Sequence, residues 1–315
     1  MDVAAIRRPV RLPRFRRASE PPAFRLTEDD VEIIRQVARH RLIRSTHIAA
    51  LVGRSLDRTN GRLQLLFHAG YVDRPRAQLD RFPTFGTAPM VYAIADRGAR
   101  LLCQRDGLCG TGEWSRKNRE AGRPFIEHQI EIVDFQVALQ RAVAQRSDVR
   151  LLQMKDMIAA SRQPMQAGRA PFALRAKVAH RGTVREFSVI PDIVFGLELS
   201  DGSRRNFVVE IDRGTMPIAR SRFEQTSFDK KMRGYLAAHA AKQHERQFGW
   251  KNFRVLTITT DRDRMQSMKE ALEALRVPRG AGASLFLFTT FVDLGGTDAL
   301  SLTWQDGGGR LVPLL

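Results

Sequence analysis

In the first third of the chain, apolar residues recur at helical spacing in three short runs, and a hydroxyl residue stands before each. Thr27, with Asp30 three positions on, opens a run through Val31, Ile34, Val37 and Ala38. Ser45 precedes a short helix that Gly53 ends. Ser55 precedes a third helix, with Leu56, Leu63, Leu66 and Phe67 apolar and Gly70 closing it. Tyr71 and Val72 begin a strand, an Arg/Pro-rich turn covers 74–89, and 90–94 return as a second strand before a short helix over 99–103. Beyond a polar stretch at 110–124 the pattern becomes an α/β alternation. It predicts helices over 124–144, 219–243 and 262–275, and strands over 149–154, 187–199, 206–212, 253–259 and 284–289. Residues 295–315 read as a turn-rich tail.

Three helices followed by a hairpin is the order of a winged helix-turn-helix. The expected organisation is therefore a basic flexible arm (1–25), a winged helix-turn-helix DNA-binding domain (26–109), a linker (110–124) and an α/β domain with a central mixed sheet (125–315), α+β overall. In a helix-turn-helix the second helix of the pair turns its N-terminal residues to base edges in the major groove. Here that turn offers Arg54, Ser55, Arg58, Thr59, Asn60 and Arg62: arginine suits guanine, asparagine adenine, and hydroxyls phosphate. The wing would add Arg74, Arg76 and Arg81 for the backbone.

Charge supports a polyanionic partner. The chain of 315 residues carries a net charge of +18. Its 52 basic residues are overwhelmingly Arg, which GC-rich coding inflates, but such bias does not explain an uncompensated excess over 34 acids. Residues 1–110 hold 20 basic and 11 acidic side chains against 32 and 23 in the rest, so the first third is about twice as positive per residue and should hold the contact with double-stranded DNA. No apolar run is long enough for a membrane span, and the start is Arg-rich rather than apolar, so a cytoplasmic protein is expected. Two cysteines, Cys103 and Cys109, make neither a disulfide framework nor a zinc cluster and are expected as buried apolar side chains.

Candidate chemistry lies in the second half. Two apolar strands carry acids: Val-Ile-Pro-Asp-Ile-Val-Phe (189–195) and Phe-Val-Val-Glu-Ile-Asp (207–212). Strand alternation puts Glu210 and Asp212 on one face, and Asp192 converges on them if the strands are neighbours. Buried carboxylates need a cation or a basic partner; Asp192 and Glu210 are the candidate ligands for Mg²⁺ or Mn²⁺. His128 lies on an apolar helix face beside Glu131, a candidate at the edge of the site that equally suits a core histidine.

Pro191-Asp192 followed by Glu210-Ile-Asp212 resembles the PD-(D/E)XK nuclease superfamily. With the hairpin-bearing helical region, Glu127-His128, Val-Glu-Ile-Asp-Arg-Gly-Thr (209–215), Lys230-Lys231 and Tyr235, the chain more narrowly resembles the replication-relaxation family of plasmid and mobile-element proteins. The resemblance implies a restriction-endonuclease-like second domain, a role in plasmid replication, relaxation or transfer, and replication or relaxase proteins or a second copy of the chain as partners. One position departs from the nuclease pattern: its lysine is Asp212 here, and only Lys230 or Lys231 on the following helix can replace that charge. Three readings follow. The first is a DNA-binding protein whose nuclease-like domain is a platform; the second is a metal-dependent endonuclease or nickase using Asp192, Glu210, Asp212, Lys230 and His128. The third is a repressor whose second domain only dimerises.

Overall fold

The structure, a computed structural model, describes residues 12–79, 88–107, 109, 112–159, 170–275 and 282–315. The chain is a mixed α/β protein that divides after Asp134 into two compact units.

In the first unit, α1 (Glu28–His40) starts at Thr27, whose side chain accepts from the Asp30 N–H while the Asp30 carboxylate accepts from the Thr27 N–H. Val31, Ile33, Ile34 and Val37 form its buried stripe. Then come β1 (Ile43–Arg44), α2 (Ser45–Leu51), α3 (Leu56–His68), β2 (Val72–Asp73), β3 (Val91–Ile94) and α4 (Asp96–Asp106). The three strands form an antiparallel sheet in the order β1-β3-β2. Ser55 caps α3, whose Leu63, Leu66 and Phe67 are buried. The connection from β2 to β3 includes 80–87, so Arg81 and the tip of the expected wing lie outside the described residues.

Three expectations for this unit change. The described part of the arm is tied down: Arg17 donates to the Phe67 carbonyl (3.0 Å) and to Asp73 (2.6 Å), and the Ala18 N–H donates to His68 Nδ1 (3.0 Å). Part of the expected linker is helix α5 (Trp114–Glu120), with the Trp114 N–H on Asp96 (2.7 Å) and Asn118 buried against the Ile94 carbonyl (2.8 Å). Cys103 and Cys109 are not buried thiols; they form a disulfide, with Cys103 half-buried and Cys109 exposed.

Helix α6 (Arg123–Ala144) contributes residues to both units. The second unit continues with β4 (Val149–Leu152), α7 (Met154–Ala159), β5 (Leu174–His180), β6 (Thr183–Val189), β7 (Ile193–Leu199), β8 (Arg204–Ile211), α8 (Phe228–Ala240), α9 (Gln243–Phe248), β9 (Arg254–Thr259), α10 (Arg262–Ala274), β10 (Phe286–Thr290), α11 (Phe291–Gly295), β11 (Trp304–Asp306) and β12 (Leu311–Val312). Seven strands form one mixed sheet in the order β12-β11-β10-β9-β8-β7-β4; β8, β9 and β10 run parallel and the others antiparallel. The central strands are buried on both faces, as a covered parallel sheet requires. On one face Val208, Val255, Phe286 and Phe288 pack with Met232 and Tyr235 of α8 and Met265 and Met268 of α10. Elsewhere Phe135 of α6 meets Phe195, which stacks on Phe207 at 4.9 Å.

The expected strand over 187–199 is two strands, broken at Ile190-Pro191-Asp192, and the first of them pairs with β5 as a separate hairpin. The expected helix from 219 starts only at Phe228, because Ser227 is the residue whose side chain accepts from the Lys230 N–H, and the Phe228 N–H bonds back to the Pro217 carbonyl. The tail is not featureless: β11 and β12 extend the sheet and Trp304 is fully buried.

Candidate functional site

The antiparallel ladder pairs Ile193 with Val209, so Asp192, one residue before β7, stands opposite Glu210 on β8. The Asp192 N–H donates to the Val209 carbonyl (3.0 Å), and its carboxylate accepts the Ile211 N–H (2.8 Å). Glu210 points to the face that α8 covers. There Lys231 and Tyr235, one helical turn apart, each take one of its oxygens: the Lys231 ammonium donates to Oε2 and the Tyr235 hydroxyl to Oε1 at 2.5 Å. Thr257, the register partner of Glu210 on β9, is fully buried and its hydroxyl has no hydrogen-bond partner among the described residues.

Asp212 shares that side of the sheet but belongs to another helix. Arg264 of α10 holds it with two nitrogens, Nη2 lying 2.8 Å from Oδ1, while the Thr259 hydroxyl donates at 2.7 Å and the Gly214 N–H at 3.3 Å. A bidentate, buried pair of this kind fixes the chain where it leaves β8. Arg264 and Thr259 are invisible to a motif reading, because neither carries a spacing signal relative to Asp212.

The charges explain the protonation of the site. Burial is the largest influence on Glu210 and raises its pKa; the Asp192 carboxylate adds to this, Lys231 opposes it, and the net is about 7. Lys231 is also raised: burial lowers it, but the Glu210, Asp192 and Asp212 carboxylates outweigh burial. Both directions follow from one stoichiometry, one ammonium among several carboxylates, so the lysine keeps its proton and a carboxylate gains one. The Tyr235 phenol is pushed well up by burial and by Glu210.

The expected lysine is therefore Lys231, not Lys230. Lys230 turns away, donating to the Glu224 carbonyl (3.0 Å) and lying over the Phe187 and Phe223 rings. His128 is half-buried on the part of α6 that belongs to the first unit. Lys231 and Tyr235 each take one lone pair of a Glu210 oxygen, so a Mg²⁺ or Mn²⁺ ion at Asp192 and Glu210 would use the lone pairs that remain. Among the described residues no group of three or more His, Cys, Asp or Glu is placed to hold a metal ion.

In the first unit the expected DNA-facing residues separate into two groups. Arg54, Ser55, Arg58 and Asn60 are exposed around the start of α3, and Arg76 is exposed after β2. Three others are committed internally. Thr59 is fully buried, its hydroxyl on the Ser55 carbonyl. Arg62 forks onto the buried Asp30, with Nε 2.8 Å from Oδ1. Arg74 lies 4.3 Å from the Phe67 ring centre and 5.2 Å from that of Tyr92, and donates to the Arg14 carbonyl.

Among the described residues, no helix is long and apolar enough to cross a membrane. No curated protein and no solved structure matches the chain. A family model described as replication-relaxation matches residues 34–251, reaching from α1 past α9 and including Asp192, Glu210, Asp212, Lys231 and Tyr235. The chain belongs to the replication-relaxation family.

Proposed function

We propose that the protein is a cytoplasmic duplex-DNA-binding factor whose first unit is a winged helix-turn-helix and whose second unit, a nuclease-like fold, serves as an assembly platform. Membership of the family supports a role in plasmid or mobile-element replication or relaxation. The observation that carries the DNA reading is α3: it buries Leu63, Leu66 and Phe67 and leaves Arg58 and Asn60 exposed at its first turn, with Arg54 and Ser55 beside them. The platform reading rests on Asp212, which stands where the nuclease pattern has lysine and is held by Arg264. Partners would be double-stranded DNA, a replication or relaxase protein, and a second copy of the chain.

The test is duplex binding by the full chain across a salt series. Arg58→Ala and Asn60→Ala should each relax preference at one base pair by about 1–3 kcal/mol, with folding unaffected. Equal loss on selected and random duplexes would remove the base-reading assignment. One observation favours a second reading, a metal-dependent endonuclease or nickase: a lysine does reach the motif glutamate. Nicking of supercoiled plasmid with Mg²⁺ or Mn²⁺, abolished by Glu210→Ala, would establish that reading and end the platform one.

A further inference from the structure

At the opposite end of α3 from Arg58 and Asn60, the first unit encloses a pocket of about 340 Å³, within the roughly 300–1,000 Å³ range of small-molecule sites. Four guanidinium groups line it, from Arg17, Arg74, Arg76 and Arg119, against a single carboxylate, Asp73. That carboxylate is already spent: Arg17 holds one oxygen at 2.6 Å and Asn118 the other at 3.1 Å. Arg74 is pinned on the Phe67 ring with its Nε buried and unpartnered. Among the described residues the side chains of Arg76 and Arg119 have no ion-pair or hydrogen-bond partner, although both border the same space. Ser115 adds a hydroxyl whose oxygen accepts from the Asp96 N–H, leaving its own proton to donate. Phe15 supplies a half-buried ring to the pocket wall.

Two guanidinium groups unpaired among the described residues, a hydroxyl donor and an aromatic ring in one small cavity are complementary to a ligand with a phosphate at one end and a planar ring at the other. We propose that this pocket binds a single nucleoside phosphate, its phosphate held by Arg76, Arg119 and Ser115 and its base against Phe15. The site is separate from the base-reading turn of α3: twelve residues of helix at 1.5 Å each place Leu56 and His68 about 18 Å apart. Its outer wall is the arm, through Phe15, Arg17 and the Arg14 carbonyl that Arg74 holds at 2.7 Å. Occupancy therefore fastens the arm to the unit.

Calorimetry on the full chain tests this with adenosine 5′-monophosphate, thymidine 5′-monophosphate, adenosine and inorganic phosphate as probes. The monophosphates should bind with a Kd of about 1 mM or tighter. Adenosine and phosphate alone should each be at least about tenfold weaker, the scale of losing the charge-assisted contacts or the ring contact. Arg119→Ala removes an exposed side chain without a structural partner, so it should melt like the parent and lose about tenfold in nucleotide affinity. Competition by a 5′-phosphorylated single strand, but not by its 5′-hydroxyl counterpart, would identify a DNA end as the source; no such difference would identify a free nucleotide. No binding at 10 times that Kd (about 10 mM), phosphate binding as tightly as the nucleotides, or Arg119→Ala binding like the parent would each overturn the proposal. Duplex affinity measured on the same samples reports on the DNA reading independently.

Discussion

Replacing Glu210 with Gln tests the charge arrangement at the site directly. The change keeps the side chain's shape and an oxygen for Tyr235 but removes the titrating group. In the folded protein Glu210 is raised from an ordinary 4.5 to about 7, so between those two values the folded state binds one proton more than the unfolded chain. The sign follows. The contribution of Glu210 to stability is fully present below about pH 4.5 and is lost as pH rises through 7, at about 1.4 kcal/mol per pH unit and about 3 kcal/mol in all. Urea denaturation of both proteins from pH 4.5 to 8.5 isolates this, because acids with the opposite behaviour, such as Asp30, cancel in the difference. Stability of Glu210→Gln relative to the parent should climb by about 3 kcal/mol across that window and level off above pH 7.5. A flat difference, or one that falls with pH, would refute the reasoning. It would mean that Lys231 alone decides the state of Glu210 and that burial and Asp192 do not.

Three further outcomes follow from the same contacts. Arg264→Ala should destabilise the second unit by about 3 kcal/mol in denaturant unfolding, since Asp212 is left buried with only Thr259 and Gly214 as donors; Asp212→Asn in that background should recover part of the loss. Arg62→Ala should cost about 2–3 kcal/mol of folding stability, because Asp30 is fully buried and would keep only its Thr27 donors, whereas Arg58→Ala should leave the melting curve unchanged. Gly234→Ala should destabilise by about 1–3 kcal/mol or more, because the added methyl would meet Val189 Cγ2 at 2.2 Å and Phe187 Cε2 at 2.9 Å; circular dichroism melts would show it.

Legibility in the sequence tracked how local the determining interaction was. The starts of α1 and α3 were readable because Thr27 and Ser55 act on residues three positions away. The β5–β6 hairpin went unread although Ala176 and Val178 alternate with Arg175 and Lys177, a period-two pattern whose charged members face outward. The onset of α8 was misplaced because the Pro217 and Ile218 carbonyls accept from the N–H groups of the helix's own first turn, a contact that apolar spacing does not encode. At the site, alternation placed Glu210 and Asp212 on one side of the sheet, and both are there. It had no means of assigning one to α8 and the other to α10: partner choice there depends on helices that begin 18 and 52 positions beyond Glu210.

The same limit applies to charge. Counting Arg over the first 110 residues treats each guanidinium as available to a phosphate, yet a folded unit of this size also uses Arg as its structural cation. Arg62 neutralises the buried capping acid of α1, Arg17 ties the arm to β2, and Arg74 is a flat cation packed between two rings. What remains for a polyanion is the set with exposure and no carboxylate partner among the described residues: Arg58, Arg76 and Arg119, and also Arg14, Arg16, Arg25, Arg39, Arg97 and Arg100, while Arg54 is shared with Asp29. Arg58 stands at the start of α3, whereas Arg76 and Arg119 border the pocket at its far end. Within that larger set, the start of α3 and the pocket at its far end each hold guanidinium groups of their own. A duplex contact at the start of α3 would use Arg58, and Arg76 and Arg119 are the pair that the proposed nucleoside phosphate would engage.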